Sequence, residues 1–164
     1  MELKLAIITV SDTRDFETDT AGAALKELAA RKNWEVVSQV IVADERPAIE
    51  SALITACDDE HADIVLTCGG TGFSLRDVTP EATRAVCERE APGIAEAIRA
   101  RSLEVTGRAM LSRAVAGLRG ESVIINFPGS EKAVREAWGF VADQFEHAIK
   151  MLHGAGHQDT LDVR

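Results

Sequence analysis

The chain is 164 residues long, the size of one ordinary domain, and combines 46% hydrophobic with 27% charged residues and only 4 prolines. That composition belongs to a single folded core and excludes collagen-like and disordered classes. Lys+Arg 18 against Asp+Glu 27 leaves a net charge of -9, which excludes nucleic acid as an expected partner, because such binding needs many Lys and Arg to displace counterions.

In chain order, Lys4 to Val10 (KLAIITV) is a β-branched apolar run, predicted to be a buried strand that opens into the polar stretch SDTRDFETD. Ala21, Ala24, Leu25 and Leu28 then recur at helical spacing, with Asp19 or Thr20 as cap. Trp34 to Val42 predicts a second strand, and Ile49, Leu53 and Ala56 a second helix. A third strand, Asp63 to Cys68, runs straight into Gly69-Gly70-Thr71-Gly72. Thr79-Pro80-Glu81 is a strong helix start: threonine as cap, proline in the first turn, glutamate at the positive end of the dipole.

A further helix is predicted from Gly93 to about Glu104, with Ile94, Ala97 and Ile98 inward. Ala114 to Leu118 and Glu121 to Phe127, joined through Arg119-Gly120, predict a hairpin and therefore one antiparallel strand. One long last helix is expected from Ser130, with Val134, Ala137, Val141, Phe145, Ala148 and Leu152 on one face. The expected organisation is one domain over 1–154 with a polar tail over 155–164. Alternating strands and helices imply an α/β three-layer sandwich around a mostly parallel sheet, with the ligand site beyond the carboxyl ends of the strands.

Cys57, Cys68 and Cys87 are odd in number and lack C-x-x-C spacing, so neither a disulfide framework nor a zinc site fits and a reducing compartment is expected. MELKLAIITVSD has too short an apolar run for a signal peptide, and no stretch of about 18 apolar residues occurs. The expectation is a soluble cytoplasmic protein without a membrane partner.

At the predicted ligand edge, the glycines of GGTGFSLRDVTPEAT permit positive φ and close approach of several N–H groups to one anion. A tight turn that needs glycine only for steric reasons is the plainer reading. The loop is neither a Walker loop nor G-x-G-x-x-G, and it carries no lysine. Asp44, at the end of the second strand, and Asp77 would emerge on the same edge and together suit magnesium, which takes one or two carboxylates plus phosphates and water. A solvated loop for Asp44 and a helix cap for Asp77 are the alternatives. Arg76 and Arg113 are each able to clamp a phosphate or to pair with an acid, with Arg76 ranked first for its place in the loop. The cluster Cys57, Asp58, Asp59, His61 and Asp63 lies at the opposite edge and matches no metal-ligand spacing.

Taken together, SDT, GGTGFSLRDVTPEAT, AMLSRAVAGLRG and INFPGSEKAV resemble the MogA/MoaB type of molybdopterin-binding protein over nearly the whole chain. The resemblance implies Mg2+-dependent adenylylation of molybdopterin by ATP, with release of pyrophosphate. It implies magnesium-holding and catalytic roles for Asp44 and Asp77, and a phosphate loop at Gly69, Gly70, Thr71 and Gly72. Arg76, Thr79 and Glu81 beside that loop, and Ser11, Asp12, Asn126, Pro128, Gly129 and Ser130, would bind the substrate or nucleotide. Ile124 to Gly129 is more similar to the adenylylating branch than to MoaB proteins, whose alternative role is to bind the pterin without chemistry. A homotrimer or hexamer, and a downstream molybdate-insertion protein as partner, are also implied.

Overall fold

The computed structural model describes residues 1–154; the polar tail expected over 155–164 lies outside them. Strands β1 (Lys4–Val10), β2 (Glu35–Val42), β3 (Ile64–Cys68), β4 (Arg89–Glu90), β5 (Ala116–Arg119) and β6 (Ser122–Phe127) form one sheet in the order β2-β1-β3-β6-β5-β4. β1 pairs in parallel with β2 and β3, and β3 with β6; β5 runs antiparallel to β6, and the two-residue β4 antiparallel to β5. The hairpin and its single reversed strand are therefore as expected, whereas β4 is too short to carry a periodic signal.

Side chains of β1 alternate between two cores. Leu5 and Ile7 join Leu66, Ile125 and Phe127 on one face, under α1 (Thr20–Arg31), α4 (Pro92–Leu103), α5 (Glu131–Val141) and α6 (Phe145–Leu152). Ala6, Ile8 and Val10 join Val65 and Ile124 on the other, under α2 (Arg46–Ile54) and α3 (Thr79–Val86). Both faces are covered, as a parallel sheet requires, and the result is the expected three-layer sandwich.

Several expectations need correction. The last helix is interrupted by a 3-10 turn at Ala142–Gln144. Ile149, rather than Ala148, then fills the core behind Phe145, with Trp34 and Trp138 packed at 5.7 Å between ring centroids. In α4 Ile98 is buried and Ile94 packs against the core as expected, but Ala95 rather than Ala97 joins them, Ala97 being exposed. Thr79 does not cap α3: it is fully buried and its hydroxyl donates to the Gly69 carbonyl at 2.9 Å. Asp19 does cap α1, accepting from Gly22 N at 2.9 Å. Cys68 is a core residue facing the Thr9 hydroxyl at 3.3 Å, and burial pushes its thiol up to about 11.

The chain leaves β1 for β2 on one side and then returns to β3 on the other, so the strand order reverses between β1 and β3. Ligand crevices form at such a switch point, because the connections diverge from it. The register brings Val10, Val42, Cys68 and Phe127 to the same carboxyl edge.

Candidate functional site

The loop after β1 is shaped by Ser11, whose hydroxyl oxygen accepts from Thr13 N at 3.2 Å and Arg14 N at 3.0 Å. Ser11 N donates to Val42 O at 2.9 Å and binds this loop to the end of β2. Asp12 connects three loops. Its Oδ1 accepts from Asp44 N at 3.0 Å, and Arg76 lays its guanidinium across both carboxylate oxygens at 3.0 Å each. The Arg76 contact, and then the Asp44 amide, hold the Asp12 carboxyl below the usual aspartate range.

The glycine loop lies against the end of β1. Gly69 has φ +103°, and a Cβ there would stand 2.4 Å from Val10 O; Gly70 has φ +69°, and a Cβ there would stand 2.3 Å from Thr79 Oγ1 and 3.2 Å from Asp44 Oδ1. These positions require glycine for both conformation and space. Gly72 does not adopt positive φ; its Cβ would approach Asp77 Oδ2 at 3.0 Å. The two carboxylates thus stand against the loop, Asp44 beside Gly70 and Asp77 beside Gly72.

All four loop carbonyls are bound from behind. Thr79 takes Gly69 O through its hydroxyl at 2.9 Å and Gly70 O through its amide at 3.1 Å. Arg113 takes Thr71 O through its amide at 2.8 Å and Gly72 O through Nε at 2.8 Å. The amides of Gly70, Thr71 and Gly72 have no acceptor among the described residues. A loop with its carbonyls secured and its amides unused is suited to receive phosphate oxygens.

Neither Asp44 nor Asp77 has a cation within ion-pair distance among the described residues. Among the described residues the Asp77 carboxylate accepts only from Ser74 N, at 3.0 Å. Burial, and after it the nearby Asp12 charge, raise the Asp44 pKa above its ordinary value. Among the described residues no group of three or more His, Cys, Asp or Glu side chains is placed to hold a metal. A cation here would rely on the two carboxylates, with phosphate and water completing its shell, which fits magnesium.

Ser11, Asp12, Asp44, Gly69, Gly70, Arg76, Asp77 and Gly129 line one polar cleft of about 370 Å³. Thr71, Gly72 and Pro128 line a second, of about 290 Å³, with Arg99 and Arg108. The remaining predicted residues make contacts within the fold. Glu81 pairs with Arg113. Ser130 caps α5, accepting from Ala133 N at 3.2 Å. Asn126 borders the second cleft but is fully buried: its amide donates to Thr67 at 3.0 Å and Thr83 at 2.8 Å, and its oxygen accepts from Val115 N at 3.2 Å.

Sequence reasoning missed Arg14, which lines the polar cleft and donates to Gly129 O at 2.6 Å. It follows Ser11-Asp12-Thr13 directly, so extending the edge rule by one residue would have found it. The Cys57–Asp63 cluster is structural: Asp58 pairs with Arg119 at 2.7 Å and Asp63 accepts from Lys4 N at 2.8 Å. An apolar groove of about 460 Å³ beside α4 and α6 lies apart from the carboxyl edge. Among the described residues no helix is long and apolar enough to cross a membrane.

A family model described as "Probable molybdopterin binding domain" matches residues 6–147. The chain is 38% identical over 156 residues to the molybdopterin adenylyltransferase of Helicobacter pylori, covering 93% of this chain and 89% of that protein. It is 39% identical over 155 residues to the molybdenum cofactor biosynthesis protein B of Bacillus cereus, covering 93% and 92%. The crystal structure of the molybdopterin biosynthesis enzyme MoaB of Thermus thermophilus aligns with a TM-score of 0.85 at 42% identity, over 93% of this chain and 97% of that one.

Proposed function

Since the chain belongs to the MogA/MoaB-type molybdopterin-binding family, we propose that it transfers the adenylyl group of ATP to molybdopterin and releases pyrophosphate. The observation that carries this reading is the pair Asp44 and Asp77, without cationic partners, set against a loop whose amides are free. A module that only held the pterin would need the loop but not two uncompensated carboxylates beside it.

In this reaction the terminal phosphate of molybdopterin attacks the α-phosphorus of ATP, a phosphoanhydride bond forms, and the bond to the β-phosphate oxygen breaks. The nucleophile is already ionised at neutral pH, so the protein's share is positioning and electrostatics. The amides of Gly70, Thr71 and Gly72 hold phosphate oxygens, and Arg14 and Arg76 line the cleft that Gly70 borders. Asp44 and Asp77 would hold Mg2+, which offsets phosphate charge when bound. The second cleft, across Thr71 and Gly72, gives room for the other substrate. The same reading has the chain act in the cytoplasm as a homotrimer or hexamer and pass its product to a molybdate-insertion protein.

The test is pyrophosphate release from protein, molybdopterin, ATP and magnesium. No release above background, with molybdopterin still bound, would leave the MoaB-type binding role instead. Asp77→Asn is expected to keep pterin affinity and lose about tenfold to a hundredfold or more in turnover. Unchanged turnover would remove Asp77 from the mechanism.

A further inference from the structure

One side chain reaches the neck of the glycine loop from outside it. Between Gly72 and Asp77 the chain makes an exposed excursion through Phe73, Ser74, Leu75 and Arg76. Its backbone ties are local, Asp77 N donating to Ser74 O at 2.9 Å and Ser74 N to Asp77 Oδ2 at 3.0 Å, while the Arg76 side chain reaches out to Asp12. The two ends are joined by Arg113, whose Nε donates to Gly72 O at 2.8 Å and whose Nη2 donates to Asp77 O at 2.7 Å. Its third nitrogen, Nη1, is held by Glu81 on α3, and its own amide donates to Thr71 O.

Every guanidinium nitrogen of Arg113 is therefore engaged with protein through one of its N–H groups. We infer that Arg113 is a positioning residue for adenylyl transfer: it closes the neck of the loop, secures the Thr71 and Gly72 carbonyls from behind, and sets Asp77 beside Gly72. The planar fork suits this task, since two carbonyls and a carboxylate are bound in one fixed geometry that a lysine ammonium does not reproduce. Glu81 has the complementary part. One of its oxygens pairs with Arg113, while the other, Oε2, is buried with no hydrogen-bond partner among the described residues, so the carboxylate is retained at a desolvation cost.

The inference rests on the proposed adenylyl transfer for its kinetic part only. Arg113→Ala and Arg113→Lys are compared with the unaltered protein by amide hydrogen exchange and by steady-state kinetics. The exchange readout is the Asp77 and Thr79 amides, which hydrogen-bond within the loop and back to it. In Arg113→Ala both are expected to exchange about tenfold faster or more, while β1 and β3 amides are unchanged. In kinetics kcat is expected to fall about a hundredfold with the KM for ATP little changed, because misplacement rather than ground-state binding is lost. Arg113→Lys should fall between, and it decides the matter if the alanine variant does not fold. Exchange at Asp77 and Thr79 equal to that of the unaltered protein would overturn the inference. So would a raised KM for ATP at unchanged kcat, the signature of a direct phosphate contact. If the unaltered protein releases no pyrophosphate, the adenylylation reading fails while the exchange comparison still decides the position of the loop.

Discussion

Asp44 carries a charge that the fold does not neutralise. Its pKa is raised above the ordinary 3.8, first by burial and then by Asp12. A carboxyl of this kind binds its proton more tightly in the folded state, so its contribution to stability is full below the unfolded value and is lost as pH rises through the raised one. Asp44→Asn should therefore keep or raise the midpoint of thermal unfolding at pH 7 and flatten its decline above about pH 4, while pyrophosphate release falls. A clear loss of stability in that variant would mean that Asp44 holds the fold rather than a ligand. Gly70 gives the opposite case. Alanine at φ +69°, with its Cβ 2.3 Å from Thr79 Oγ1, is expected to cost about 1–3 kcal/mol and to displace Thr79 from the loop carbonyls. Chemical denaturation and turnover should decline together, and a fully active, stable variant would show that the loop tolerates a different path.

Among the elements, β3, β6 and α3 are joined below the site by Asn126, which binds Thr67 and Thr83 and accepts from Val115 N. The family resemblance implies a ligand-lining role for Asn126; its burial and three hydrogen bonds within the fold also make it a core polar bridge. Asn126→Ala is expected to lower stability by about 1–3 kcal/mol, because Val115 N, Thr67 and Thr83 lose their partner, with KM for both substrates near that of the unaltered protein. A selective rise in one KM would restore the ligand-lining role. The same long-range logic explains the interrupted last helix. The 3-10 turn at Ala142–Gln144 changes the face presented by α6, so that Phe145 and Ile149 meet the core while Met151 remains exposed. A strict helical repeat from Ser130 cannot show this, since it follows from the packing of Trp34 and Trp138 against Phe145.

For the whole molecule, a net charge of -9 weighs against long polyanions, where many lysines must act together, but not against one small anion held by backbone amides and a divalent cation. ATP and Mg2+ together should stabilise the protein by about 2.7 kcal/mol at a hundredfold excess over Kd, and far more than either alone. An equal shift by ATP in the presence of a chelator would remove the ion from the proposed site. Much of this architecture is legible in the order of the residues. Periodicity locates both cores and nearly every element, because alternation and helical spacing are local, and the edge rule gathers Ser11, Asp12, Asp44 and the glycine loop because parallel strands must open at one side. The sequence by itself therefore determined the layers, the ligand edge and the residues available there. Only the tertiary structure decided their partners: Arg76 to Asp12 across 64 positions, Arg113 to Gly72 across 41, Asn126 to Thr83 across 43. A side chain's partner is chosen by packing between elements distant in the chain, and no local spacing carries that choice.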